Sequence, residues 1–143
     1  MFAKFDYSLY EKCSVIKVML YNNINDEYFN SFINEWQNIY KHKKNFILIF
    51  NTINVSIISI KYCIKMSKFI SKLKEEKIQF LQKSIIIINN NIVKYMLNII
   101  FNIQKPVAPV YLIELNDNTN IKIIKIINNE PILKNYNIIT ILP

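Results

Sequence analysis

The chain contains no glycine in 143 residues. A loop that cradles phosphate needs glycine, because its backbone must adopt positive φ and come close to the anion. Walker loops and G-x-G-x-x-G turns are therefore excluded, and the common nucleotide-binding motifs with them. Arginine is absent as well, so all 18 Lys+Arg positions are lysine. Lysine supplies a point charge and no bidentate fork for guanine or phosphate, which points away from nucleic acid as a partner. The only cysteines are Cys13 and Cys63. They are too few and too far apart for a zinc site or a C-x-x-C redox pair, and buried free thiols are the simpler expectation. Aspartate occurs at Asp6, Asp26 and Asp117 alone, and the single histidine, His42, sits among lysines in KHKK. An imidazole there, with no carboxylate or nucleophile suggested beside it, reads as a solvated helix end. On these grounds no catalytic residue, metal ligand or cofactor is assigned.

Long apolar runs are missing too. None approaches the roughly 20 residues that a membrane-spanning helix requires. The first residues carry Lys4 and Asp6 where a signal peptide would be apolar. The expectation is a soluble, intracellular (cytoplasmic) protein.

What the chain does have is a hydrophobic fraction of 52% and an aromatic fraction of 13%, enough to bury a sizeable core. The length suits a single domain over residues 1–143. The net charge is +8, but the chain is crowded with Ile, Asn and Lys, the composition of an AT-rich genome, and codon bias accounts for much of that charge.

Hydrophobic spacing orders the chain. Residues 14–20 (SVIKVML) read as a strand, preceded by a partner strand within residues 2–10 and a turn near Glu11 and Lys12. From 26 to 41, Tyr28, Phe29, Phe32, Ile33, Trp36, Ile39 and Tyr40 recur at helical spacing, with Asn25 placed to cap. Residues 45–51 (NFILIFN) form a strand apolar on both faces. A second helix is expected from about 56 to 76, with Cys63, Met66, Phe69, Ile70 and Leu73 inward and Lys61, Lys65, Lys68 and Lys72 outward. Residues 84–89 (SIIIIN) give another apolar strand, Asn91 caps a third helix to about 104, and 107–115 (VAPVYLIEL) supply a further strand. The Ile-rich segments 121–127 and 137–142 read as an added hairpin turning at 128–131. The fold class is α/β: a mixed, largely parallel sheet with helices packed on it. Its core spans about 1–116, followed by a C-terminal β extension over about 117–143.

In a parallel α/β sheet, chemistry gathers beyond the carboxyl ends of the strands. Those positions hold Asn22, Asn51, Asn89 and Asn116, with Asp117 next to the last. A row of amides there reads as turn chemistry and supplies no nucleophile. Two surfaces remain. The lysine row could meet an acidic partner, although a solvated helix face has the same pattern. The third helix is apolar around most of its circumference, because Ile92, Tyr95, Ile99 and Ile103 broaden the stripe of Val93, Met96, Leu97, Ile100 and Phe101. Such a helix is either covered by the C-terminal tail or docked to something.

With this order in place, residues 14–115 resemble the STAS domain, the fold of anti-sigma-factor antagonists and of sulphate-transporter C-terminal domains. The likeness lies in the initial hairpin and SVIKVML, the helix DEYFNSFINEWQNIYK, the strand NFILIFN, and the short loop TINVS into a long helix. SIIIIN, the third helix and VYLIEL complete it. The resemblance implies a non-enzymatic regulatory module that binds another protein through the start of the helix after NFILIFN. In many members a Ser or Thr there is phosphorylated to break the complex, and the matching positions are Ser56 and Ser59. Ile58 and Ile60 flank Ser59 where the family has Asp and Gly, and Asn51 stands where an Asp often ends the strand. These departures imply a retained fold with a lost phosphoswitch. The alternatives are self-association, a carrier of a lipid or other apolar ligand, an enzyme of unrecognised type, or a basic nucleic-acid-binding protein.

Overall fold

Successive strand residues point to opposite faces of a sheet, so runs such as NFILIFN and SIIIIN can serve two cores at once. The computed structural model describes residues 1–132 and 136–143. Its order is β1 (Ala3–Asp6), α1 (Tyr10–Cys13), β2 (Val15–Tyr21), α2 (Asp26–Tyr40), β3 (Phe46–Asn54), α3 (Ile60–Leu73), β4 (Leu81–Ile88), α4 (Asn91–Ile103), β5 (Val110–Glu114), α5 (Thr119–Ile127) and β6 (Ile139–Ile141). The six strands lie side by side in chain order. β2 to β5 are parallel, while β1 and β6 pair antiparallel at the two edges. The expected mixed, largely parallel α/β sheet is what the chain forms.

A sheet whose parallel strands follow chain order takes every crossover step in one direction. Right-handed crossovers then place all the connecting helices on one face. α2, α3 and α4 do share that face, where Trp36, Phe69 and Met96 pack with Ile16, Leu48, Phe50, Ile86 and Leu112. The alternate strand residues Val15, Ile47, Ile49, Ile85, Ile87 and Ile113 point the other way, beneath Ile126 of α5. Ile85 to Ile88 thus feed both layers, each side chain contributing about 2 kcal/mol of burial. Trp36 centres an aromatic cluster, with ring centroids 5.8 Å from Phe32, 5.4 Å from Phe50 and 5.2 Å from Phe69.

The tail corrects one expectation. Residues 121–127 are helical, not a hairpin strand, and among the described residues of the C-terminal β extension the strand that forms is β6, along β5. The β-propensity of five isoleucines lost to tertiary demand, because the second sheet face needs a cover. Thr119, Lys122 and Ile126 are buried at helical spacing to supply it. Residues 133–135 of the expected extension lie outside the described residues. Other boundaries moved little. Asn25 caps α2 by accepting from the Tyr28 N–H at 2.7 Å, and Asn90, one residue before the expected Asn91, caps α4 by accepting from Val93 N–H at 3.0 Å. α3 begins at Ile60 rather than near Ser56, and α1 replaces the turn near Glu11. Cys63 is buried as expected, whereas Cys13 is exposed. Without glycine, the left-handed backbone positions fall to Ser14, Lys43, Asn129 and Asn137, with φ of 50–57°. Asparagine tolerates that region better than most residues.

Candidate functional site

The loop from β3 into α3 is braced by short polar side chains. Asn22 holds Ser56 twice, donating to its hydroxyl at 2.7 Å and accepting from its backbone N–H at 2.8 Å. Asn89 donates to the Ile53 carbonyl and Asn90 to that of Val55. Asn51 accepts from Ile53 N–H, and Asn116 from Asn118 N–H. The amide row at the carboxyl ends of the strands is thus engaged in turns and loop bracing. Ser59 is the N-cap of α3, its hydroxyl accepting from Lys61 N–H at 3.3 Å.

The four lysines of α3 divide into two pairs. Lys61 and Lys65 both reach Oδ1 of Asp26, at 2.9 and 3.0 Å, and the Tyr62 hydroxyl donates to the same oxygen. These partners, Lys61 first, hold the Asp26 carboxyl well below the usual carboxylate range, and Asp26 in turn raises the Lys61 ammonium. The contact ties the start of α2 to the first turns of α3. Lys68 and Lys72 continue along the exposed side of α3.

α4 packs beside α3. Its inward stripe is Val93, Met96, Ile100 and Phe101. On its outer side Ile92 is 46% exposed, Tyr95 64% and Ile103 57%, while Ile99 is half-buried. Among the described residues the tail does not cover them, because α5 lies on the opposite sheet face and β6 follows the β5 edge. The start of α3 adds exposed apolar side chains that the sequence pattern did not single out: Ile57, Ile60 and Ile64. Isoleucines and lysines thus share the outer surface of adjoining helices.

A second feature lies beneath that surface. A cavity of about 150 Å³ opens between the sheet and the α2–α3–α4 layer. Phe50, Ser84 and Val110 wall it on the sheet side, and Trp36, Met66 and Val93 on the helix side. Nothing in the residue pattern announces it, because a void depends on how side-chain volumes sum across three helices.

On the far face, Lys83 is buried in β4 and its ammonium donates to the Ile126 carbonyl at 2.8 Å and to Asn129 Oδ1. It thereby satisfies the end of α5, and burial lowers its pKa. His42 stands exposed just past α2, its ring 6.0 Å from that of Tyr10. Among the described residues no three His, Cys, Asp or Glu side chains come together as metal ligands would, and no helix is long and apolar enough to cross a membrane.

No family model matches this chain, and neither the curated proteins nor the solved structures hold a significant match to it.

Proposed function

We propose that this domain is a non-enzymatic regulatory module with a STAS-like arrangement, whose outer α3–α4 surface docks an acidic protein. The observation that carries the proposal is the exposed apolar set Ile57, Ile60, Ile64, Ile92, Tyr95 and Ile103 beside the lysine row. Clustered isoleucines on an exposed surface mark a contact region, since solvent gives them no return. The charge selects the partner. α3 carries Lys61, Lys65, Lys68 and Lys72 and no acidic residue, and the chain as a whole is +8. Two copies meeting through this surface would set like charges against each other, whereas an acidic partner gains steering and complementarity.

The STAS-like reading draws support from the chain-order sheet, the single-face helix layer and the placement of Ser56 and Ser59 at the entry to α3. In this chain Ser59 serves as a helix cap and Ser56 as a loop brace. Both roles fit a docking surface held in one shape rather than one toggled by phosphate.

The test is site-specific photo-crosslinking in extract of the source cells. A photoreactive side chain at Tyr95 is expected to yield a discrete adduct with an acidic protein, diminished in the Lys68→Glu/Lys72→Glu variant. The same group at Ile124, exposed on the opposite face, serves as the control. Absence of an adduct at Tyr95, or equal adducts at both positions, would count against the proposal.

A further inference from the structure

We infer that the cavity between the sheet and the helix layer, which is partly open to solvent, is a binding site for a small, uncharged, apolar molecule, of the size of a single aromatic ring or a short alkyl chain. Natural interiors hold few voids larger than a water molecule. This one measures about 150 Å³. An apolar cavity of that volume stays dry and takes up benzene or xenon.

The wall fixes the chemical class. No charged side chain lines the cavity among the described residues. A carboxylate or ammonium entering it would lose its hydration without gaining a partner. Two of the polar side chains at the wall are already committed: the Thr52 hydroxyl donates to the Ile87 carbonyl at 2.7 Å, and the Tyr62 hydroxyl to Asp26. Ser84, Cys63 and the buried Trp36 indole N–H, which has no hydrogen-bond partner among the described residues, remain as neutral polar groups, and burial raises the Cys63 thiol so that it stays protonated. The ligand is therefore an apolar body with room for one neutral polar group. Met66 and Met96 stand on the helix side, and their flexible thioethers adapt to ligands of differing outline.

A volume of about 150 Å³ holds a ring or a short alkyl segment and not the full length of a long acyl chain. The wall is half-buried at Leu20, Ile24 and Ile58, beside the carboxyl ends of β2 and β3, and at Met66, Leu97 and Val107. The site is separate from the docking surface, since α3 and α4 turn opposite sides to the cavity and to solvent.

Benzene is the probe, with palmitate as the long-chain comparison. Binding is followed by calorimetry and by the NMR signals of the Met66 and Met96 methyl groups. The expected result is saturable one-to-one benzene binding that shifts both methyl signals. Affinity should fall at least tenfold in the Val93→Ile/Val110→Ile variant, which narrows the space from two walls, and hold in Tyr95→Lys, which alters only the outer surface. Either single isoleucine variant reads the same way should the double one fail to fold. No saturable benzene binding, or undiminished affinity in the narrowed variants, would overturn the site. Palmitate binding more tightly than benzene with the same methyl shifts would overturn the size limit.

Discussion

Replacing Val93 and Val110 by isoleucine adds one carbon to each of two walls of the cavity. In a solid core such additions cost about 1–3 kcal/mol, because neighbours are forced off their rotamers. Here both side chains are buried, at 4% exposure, and face a void of about 150 Å³. Isoleucine keeps the β-branch, so the helical and strand preferences at the two positions barely change. Each new carbon gains about 0.8 kcal/mol of burial, and the pair about 1.6 kcal/mol at most, since residues sharing one cavity need not add fully. Urea unfolding of the wild type, both single variants and the double variant measures this directly. The expected result is a higher midpoint at an unchanged slope. A loss of 1 kcal/mol or more in both single variants would refute the reasoning, because it would mean that the space closes in solution.

Three further outcomes are expected. Asn90→Ala removes both the cap on Val93 N–H and the bond to the Val55 carbonyl, for a loss of about 1–2 kcal/mol and faster hydrogen exchange in the first turn of α4. Ser59→Ala should cost about 1 kcal/mol in thermal unfolding, whereas Ser59→Asp, which still caps, should stay close to the wild type. Burial depresses the folded pKa of Lys83 below the ordinary 10.5, so between those values the unfolded chain holds the extra proton and the Lys83 contribution to stability rises with pH. The stability difference between wild type and Lys83→Met should accordingly shift toward the wild type between about pH 7 and about pH 10. A constant difference across urea titrations at both values would contradict that assignment.

Apart from α1, which was read as a turn, the order of elements as far as β5 was legible by spacing: the i, i+3, i+4 recurrence from Tyr28 to Tyr40, and the short apolar runs around Leu48 and Ile86. Asn25 marked its helix start for the same local reason. α5 was not legible as a helix. Isoleucine favours strands, and only the uncovered face of Ile47, Ile85 and Ile113 decides that Ile123 and Ile126 must lie on a helix. At the candidate site, the outward placement of Lys61 to Lys72 followed from helical phase, whereas the pattern left open whether the tail covers Ile92 and Tyr95. The exposed Ile57, Ile60 and Ile64 were hidden by setting the helix start near Ser56 and reading only the inward stripe. The sharing of Asp26 by Lys61 and Lys65 joins residues more than thirty apart, which no local pattern encodes.

Because the strands lie in chain order, synthesis and assembly can run in the same direction. Each new strand emerges next to the one made just before it, so it can pair with a strand already in place across a helical crossover. The growing sheet therefore carries a single advancing edge of unpaired backbone groups. After β5 is made, that edge is Val110–Glu114, and it stays open to other chains until β6 arrives to pair with it. Three residues, Ile139–Ile141, then cover the β5 edge, and the short β6 stands as the sheet's edge opposite β1.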